Sequence, residues 1–581
     1  SQSNSKQNRA LAASTAPQLA APQKPVQAKR PSVTKQGQEA VSTIEKIKSL
    51  RKESTVEAAH VARELVDFEL THSQRKLIGF TLYNGGNVTD AKLALDGIDE
   101  ARLDAVEAMR LRRIRSENAA LEEGVPQFVK NILRDLETLE PGVRPIAAED
   151  HSGLHVAYVA ASAMPQNTAG YAIRTQKVVE GLDRELKAIG GSLSVATRPG
   201  YPVDRFDLND HEARAYSKVG DITFTHFPDG PHMQDDLRHY FFESAKRLSG
   251  WFAANQISSV IAASNFVNAF PAYLAAQRIG IPFSYEMRGL WEETKASKVD
   301  HWYDSERFAI ERAFETYLAH NSDFNFYITP QVRGVFSSKM DSAKPMRAGQ
   351  LSDLGQLKPA LLDHKSAIAP NCADMQDVAQ ASQAPYEGAQ EQKLRLAYIG
   401  SVVEYEGLQL LLETLADYPD LSAQVEVDIV GDGAFKPNLE ALIKTYRLTN
   451  IKMHGRIPYE DVSAFYDRAH IILVPRLPYR VCRLVSPLKP LEAMASGRIV
   501  LASDVEPIAD LIKDKETGYL FEAGNKDDLA KTLRDILSDR SRHINIAQAA
   551  QAYVSEKRNW SLVARDMAAS QAYLAREMSP V

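Results

Sequence analysis

Cysteine is nearly absent from these 581 residues: Cys372 and Cys482 are the full complement. Two thiols cannot form a disulfide scaffold in so long a chain and suit a reducing compartment, so the cytoplasm is the expected address. Long apolar runs are missing too. No stretch reaches the roughly 18 to 20 residues that a membrane-spanning helix needs, and the amino terminus lacks the charged, apolar, small-residue order of a secretory signal. Membrane association is therefore expected only as a peripheral contact, at the inner face. Neither sign of charge dominates: 69 Lys and Arg stand against 75 Asp and Glu, a net charge of -6. Nothing in that balance draws in a polynucleotide, and nucleic acid is not an expected partner.

What is present is apolar material for more than one core. Hydrophobic residues make up 44% of the chain, and single cores stop growing at roughly 250 to 300 residues. Residues 1–38 are rich in Ala, Gln, Ser, Pro and Lys with almost no large apolar side chains, and read as a disordered tail. From 39 to 148 the spacing is helical, with Ala58, Val61, Ala62, Leu65 and Val66 on one face, then Leu77, Ile78 and Leu82. Tyr83-Asn84-Gly85-Gly86-Asn87 breaks the pattern, and Ala91, Leu93 and Leu95 resume it. Helical hairpins with a faint likeness to tetratricopeptide pairs are one reading. No fixed period appears, so a helical bundle that packs on the rest or mediates oligomerisation is preferred.

Near residue 150 the rhythm changes to short apolar strand, glycine-containing turn and amphipathic helix. Strands are expected at Leu154 to Ala160, Ser192 to Thr197, Ser258 to Ala262, Pro282 to Glu286 and Asn325 to Ile328, with a helix starting near Tyr171. A polar linker at 376–392 follows. A second series runs through Leu394 to Ile399, Val425 to Val430, Ile451 to His454, Ile471 to Val474 and Ile499 to Ala502. Such alternation predicts parallel sheets with crossover helices, so 150–375 and 393–560 are expected as two Rossmann-like, doubly wound α/β domains. A last helix, 561–581, is expected to pack back on the first of them. The strands' carboxyl ends would then converge on a shared cleft.

In the second series one strand ends in Gly400-Ser401 and another in Gly431-Asp432-Gly433. Glycines at strand ends admit a ligand to the backbone, although each alone also fits a tight turn. Arg476, Arg480, Arg483 and Lys489 crowd around Ser486-Pro487. Ser486 suits an N-cap and Pro487 a first helical residue, so a helix is expected to start here with amides free for a diphosphate. Lys489 can add a point charge, and the carboxylate of Glu492 can accept both hydroxyls of a ribose. A capped amphipathic helix with a solvated basic face is the plainer alternative.

The run Val481 to Gly497, with Ser486-Pro487-Leu488-Lys489-Pro490-Leu491-Glu492 at its centre, resembles the donor domain of family 4 retaining glycosyltransferases. Val430 to Gly433, Gly455-Arg456-Ile457-Pro458 and Thr517 to Phe521 occur in that family's order. In the first series, Asn167 to Thr175, Thr197 to Pro202 and Tyr285 to Glu292 are similar to a bacterial branch of it. The resemblance implies a GT-B fold, a nucleotide-diphosphate sugar donor with UDP as the leading base, no metal and no separate cofactor. It also implies a carbohydrate or lipid-linked acceptor on a bacterial surface polysaccharide. No Asp-x-Asp motif of the metal-dependent GT-A type is found.

Expected donor contacts are Gly400, Ser401, Gly431, Asp432, Gly433, Arg456, Ile457, Arg476, Ser486, Pro487, Leu488, Lys489 and Glu492. Lys489, Arg456, Gly170 and Arg288 are expected at the chemistry. Asn167, Tyr171, Arg174, His226, Asn265, Glu286, Trp291 and Glu292 are expected to meet the acceptor. For His226 and Asn265 a structural hydrogen-bonding role fits equally well, and Trp291 suits either a sugar platform or the core.

The sequence departs from the family where an acidic residue would touch the donor sugar, at Arg483 and Leu484. It departs again where a basic pair would follow the first strand, at Ser401 and Glu406, and where Pro370-Asn371-Cys372 replaces Pro-Asn-Gly. A nucleotide-sugar-binding scaffold acting through the helical module is the alternative. A dinucleotide enzyme is disfavoured, because no Gly-x-Gly-x-x-Gly follows either domain's first strand.

Overall fold

The computed structural model describes residues 33–139, 153–337, 365–381, 386, 393–458 and 461–577. Among them six helices come first: α1 (Val33–Glu53), α2 (Thr55–Arg63), α3 (His72–Asn84), α4 (Val88–Leu95), α5 (Ala105–Glu123) and α6 (Val125–Glu137). Side chains set their starts. Ser54 Oγ accepts from the Glu57 amide, and Thr71 with Gln74 and Asp104 with Glu107 form reciprocal capping boxes. Residues 1–32 of the expected tail lie outside the described residues, but α1 already begins at Val33. Its Lys, Gln, Glu and Ala residues favour helix, and once Ile44 and Ile47 are anchored in the core, helix extends outward without needing apolar side chains.

Most of the expected apolar stripe is buried, including Ala58, Val61, Ala62, Leu65, Ile78, Leu82, Ala91 and Leu95, whereas Leu93 is 49% exposed. α6 serves a different core. Its Phe128, Val129, Ile132 and Leu136 belong to one cluster with Phe241, Phe270 and Phe314 of the domain that follows. Phe128 and Phe314 meet edge to face with centroids 5.9 Å apart. Around this apolar contact Arg112 forks onto Asp235 at 2.6 and 2.8 Å, and Glu306 Oε2 accepts from the Val88 and Thr89 amides at 2.6 and 2.8 Å. The helices are thus built into the neighbouring domain.

That domain is an eight-stranded sheet in the order β3-β4-β2-β1-β5-β6-β7-β8. Its strands and helices are β1 (His155–Ala160), α7 (Gly170–Ala188), β2 (Ser192–Thr197), β3 (Tyr216–Val219), β4 (Ile222–Thr225), α8 (Leu237–Ala254), β5 (Ser259–Ala263), α9 (Phe266–Ile279), β6 (Phe283–Met287), α10 (Trp291–Ala296), α11 (Glu306–Asn321), β7 (Phe324–Tyr327), α12 (Pro330–Phe336) and β8 (Ser366–Ile368). All neighbours are parallel except β3 and β4. The central strands β5 and β6 are buried at every position, as a sheet covered on both faces requires.

The second domain is a six-stranded parallel sheet, β11-β10-β9-β12-β13-β14. Its strands are β9 (Leu394–Ile399), β10 (Val425–Val430), β11 (Ile451–Gly455), β12 (Ile471–Val474), β13 (Ile499–Ser503) and β14 (Tyr519–Phe521). The expected linker is not wholly irregular. Asp374 Oδ1 accepts from the Gln376 amide at 3.0 Å and starts the helix Met375–Gln380. The chain passes between domains at two adjacent points, where the Ala373 amide donates to the Arg558 carbonyl at 2.7 Å. The helix Trp560–Glu577 then runs back along α7. A Cβ at Gly181 would stand 2.7 Å from that of Ala564, so a glycine is what permits the close packing. No helix among the described residues is long and apolar enough to cross a membrane.

Candidate functional site

The carboxyl ends of the two sheets meet. A Cβ at Gly170, the first residue of α7, would lie 3.2 Å from Leu488 Cδ1. Asn371 Nδ2 donates to the Ser486 carbonyl at 2.8 Å, and Thr329 Oγ1 to the Leu484 carbonyl at 2.6 Å. Arg480 and Glu293 add an ion pair at 3.4 Å. The segment 480–489 is therefore seated against the first domain.

On the donor side, Gly400 and Gly431 close β9 and β10 at φ 149° and 137°. A Cβ on Gly431 would stand 1.8 Å from the Gly400 oxygen, and one on Gly433 2.2 Å from the Val402 oxygen. These glycines let two strand ends touch backbone to backbone. Ser401 and Asp432 are exposed; Asp432 Oδ1 accepts from the Gly433 amide at 2.9 Å.

Ser486 is not an N-cap. The helix runs Lys489–Ala495 after a cap at Leu488, and Ser486 Oγ reaches the Pro487 carbonyl at 3.4 Å. Proline fits best in a first turn, and with Pro490 in that turn the helix starts two residues later than Pro487 suggests. The seven-residue helix presents Lys489 and Glu492 inward. Tyr466 donates to Glu492 Oε2 at 3.1 Å, and burial raises the carboxyl's pKa despite that bond.

Lys489 Nζ donates to Tyr398 Oη at 2.7 Å and to Glu406 Oε2 at 2.9 Å. Arg476 donates to Glu406 Oε1 at 2.8 Å and to the Val485 carbonyl at 3.0 Å. Burial pushes the Glu406 carboxyl up, but Arg476 and Lys489 outweigh it and hold the pKa at about 2. Burial first, and the Arg476 charge after it, lower the Lys489 pKa while Glu406 pulls it back up. Two of the cations expected to meet phosphate thus share one buried carboxylate. Arg456 stays exposed, with no ion pair among the described residues, whereas the Ile457 side chain packs on the second domain's core.

On the acceptor side, Asn167 and Tyr171 join at the start of α7, with Asn167 Nδ2 2.6 Å from Tyr171 Oη and 3.0 Å from Ser162 Oγ. Arg288 donates to the Tyr171 carbonyl at 3.1 Å, to Thr175 Oγ1 at 2.7 Å and to Glu286 Oε2 at 2.9 Å. Its guanidinium braces the first turns of α7, which Gly170 opens, and does not stand free in the cleft. Trp291 is 53% exposed, which removes the core reading.

Five of the expected acceptor residues face inward. Arg174, 2% exposed, donates to Glu286 Oε1 at 2.8 Å, to Asn371 Oδ1 at 3.0 Å and to the carbonyls of Ala369 and Pro370. Glu286 is fully buried; burial raises its pKa, but Arg288 and Arg174 hold it at about 2. Glu292 is spent on Arg312 at 2.8 Å. His226 lies between Thr197 Oγ1 at 2.7 Å and Ser217 Oγ at 2.8 Å, and burial lowers its pKa to about 4. Asn265 is buried at the start of α9 with Nδ2 unpartnered, and its carbonyl accepts from Asn268 and Ala269. Position near a strand end places a polar residue close to the cleft, but local register decides whether it points in or out.

Sequence reasoning did not single out Tyr398, Asn371 as a bridge, or the Glu293 and Arg312 pair. Their partners lie far off in sequence, and no spacing rule links them. Among the described residues no group of three or more His, Cys, Asp or Glu could hold a metal ion.

Residues 380–553 match the family model described as glycosyl transferases group 1. The chain is 28% identical over 180 residues to a lipopolysaccharide 1,2-N-acetylglucosaminetransferase of Salmonella typhimurium, covering 29% of this chain and 46% of that protein. It is 27% identical over 182 residues to an amylovoran biosynthesis glycosyltransferase of Erwinia amylovora, covering 31% and 45%. The chain thus spans a little under half the length of these curated relatives. Among solved structures it resembles sucrose-phosphate synthase from Thermosynechococcus elongatus, with a TM-score of 0.54 at 17% identity, over 72% of this chain and 98% of that one. That likeness is one of fold, and the fold is GT-B.

Proposed function

We propose that the chain is a retaining, metal-independent glycosyltransferase that moves a sugar from a nucleoside-diphosphate donor, UDP-linked in the leading case, to a hydroxyl of a growing bacterial surface polysaccharide. The observation that carries this reading is the seating of Gly170 on Leu488, one residue from Lys489. A donor held against Gly400, Lys489 and Glu492 would have its reacting carbon next to the start of α7, where the exposed Tyr171, held by Asn167, could meet the incoming hydroxyl, with Trp291 as a platform for the acceptor sugar. Retaining transfer breaks the bond from the anomeric carbon to the diphosphate through an oxocarbenium-like state, and the charge growing on the leaving phosphate is what the site must stabilise. Lys489 and the exposed Arg456 are the cations that would take up that task. The names of the relatives, one acting on lipopolysaccharide and one in amylovoran biosynthesis, support a polysaccharide acceptor. Such work fits a protein at the inner face of the membrane.

Incubating the full chain with UDP-, GDP- and other activated sugars, with and without oligosaccharide acceptors, tests the proposal through nucleotide release. Acceptor-dependent release is the expected result. Binding without release would favour the second reading, a nucleotide-sugar scaffold, to which the internal pairing of Arg476 and Lys489 with Glu406 lends support.

A further inference from the structure

The Lys489 side chain lies across the backbone at Gly400. A Cβ there would stand 2.1 Å from Lys489 Cε and 2.8 Å from Nζ, so only glycine leaves room for the ammonium to reach this spot. An ammonium has three donors. One goes to Tyr398 Oη and one to Glu406 Oε2, which leaves one for a ligand. Tyr398 is held in turn, because its hydroxyl donates to the Ser401 carbonyl at 2.6 Å. The Glu406 side chain is 4% exposed and that of Lys489 14%, so the carboxylate lies deeper and the amine nearer solvent.

The charged groups around this amine are few: Glu406 after β9, Arg476 after β12, and Glu492 on its own helix. Arg476 disfavours a charged Lys489, and so does burial. Among the described residues Glu406 is the one carboxylate in direct contact with it. Without that carboxylate, two cations would share a nearly buried pocket, and a buried lysine in that position gives up its proton.

We propose that Glu406 is a positioning residue that keeps Lys489 charged and aimed, with its remaining N–H directed at the ligand phosphate. Glu406 itself touches no substrate and acts through Lys489. The ligand's identity rests on the function proposed above; the charge state of Lys489 does not.

The test separates the two. Competitive labelling of the full chain with acetic anhydride, read peptide by peptide across pH, gives the midpoint at which Lys489 becomes reactive, with exposed Lys513 as internal reference. In the wild type the midpoint should fall below that of Lys513 yet above neutrality. In Glu406→Gln it should drop by about one unit or more, the usual effect of losing an opposite charge at this range, and in Glu406→Asp it should stay close to wild type. UDP binding by Glu406→Gln should weaken at least about tenfold as pH rises through the new midpoint.

A wild-type Lys489 already neutral at pH 7.5 would overturn the proposal, even if the variants fail to fold. So would equal midpoints in the Gln and Asp variants. A midpoint in Glu406→Gln that rises to that of Lys513 would mark an opened site and a packing role, and would count against it as well. Failure of the chain to bind UDP, GDP or any other nucleoside diphosphate, with the labelling shifts intact, would refute the functional reading and leave the charge-keeping role of Glu406 standing.

Discussion

Asn371 donates from Nδ2 to the carbonyl of Ser486 at 2.8 Å, and through it the end of the first domain holds the segment that presents Lys489. Asn371 is itself fixed by Arg174, whose Nη1 lies 3.0 Å from Asn371 Oδ1 and whose Nη2 binds Glu286. The first domain's core, its last segment and the run 480–489 are thus coupled by side chains that need touch no substrate.

Arg174→Ala should therefore damage stability before chemistry. It strands the buried Glu286 carboxylate with only one of its two guanidinium partners, a kind of loss that typically costs about 3 to 5 kcal/mol. Thermal and urea unfolding of the full chain should show it. Asn371→Ala leaves no buried charge behind, so it should cost only about 1 kcal/mol, while loosening the donor segment enough to raise the KM for donor.

Lys489→Ala should lower turnover by on the order of 10²- to 10³-fold, by analogy with the removal of one donor to a developing oxyanion, and should lower the melting temperature without unfolding the chain, because buried Glu406 keeps only Arg476. The measurement is nucleotide release with the preferred sugar donor, next to an unchanged circular dichroism spectrum. Near-wild-type transfer would remove Lys489 from the chemistry.

Gly400→Ala should reproduce much of that loss without touching the lysine. The new methyl would take the place of Lys489 Cε, and φ 149° is a conformation that L side chains rarely adopt. Strain of this kind costs on the order of 1 to 3 kcal/mol. A lower melting temperature together with lost turnover is expected; unchanged kinetics would show that the lysine works from another position.

How much of this was legible in the sequence depended on whether the cause was local. β2, β9, β10 and β12 match their expected bounds because each is an apolar run closed by polar or glycine-containing segments. β3 and β4 were not foreseen. Four residues with alternating exposure, joined at Gly220 and Asp221, carry too little pattern to stand out. The segment around Lys489 was found because its residues are adjacent in sequence. The partner was missed: Glu406 read as an absent positive charge, and nothing in the sequence brings it to a lysine 83 positions away. The inward turn of Glu286 and Glu292 was hidden for the same reason, since Arg174 and Arg312 come from other elements.

His226 gives a prediction about pH. Both ring nitrogens are bonded, and burial lowers its pKa from 6.5 to about 4 in the folded chain. The unfolded chain takes up a proton near pH 6.5 and the folded one does not until about 4, so stability from this residue is present above 6.5 and declines as pH falls toward 4. His226→Gln should flatten that part of the curve. Melting temperatures of both proteins between pH 4 and 7 give the difference, and parallel curves would mean that His226 is protonated as readily in the fold as outside it.

Trp291 offers the clearest test of the acceptor side. It is 53% exposed at the first position of α10, while the next two residues are anchored inward, Glu292 and Glu293 each on Arg312 at 2.8 and 2.5 Å. A large ring held out of the core, with its two neighbours fixed by buried ion pairs, presents an apolar face on which a sugar can stack. Stacking of this kind contributes about 0.5 to 1.5 kcal/mol beyond area burial, so Trp291→Ala should raise the acceptor KM up to about tenfold. Trp291→Phe should recover part of that. Donor binding should not change in either variant, because the ring belongs to the first domain. A rise in donor KM with an unchanged acceptor KM would move Trp291 from the acceptor subsite to the interdomain contact made by Arg480 and Glu293.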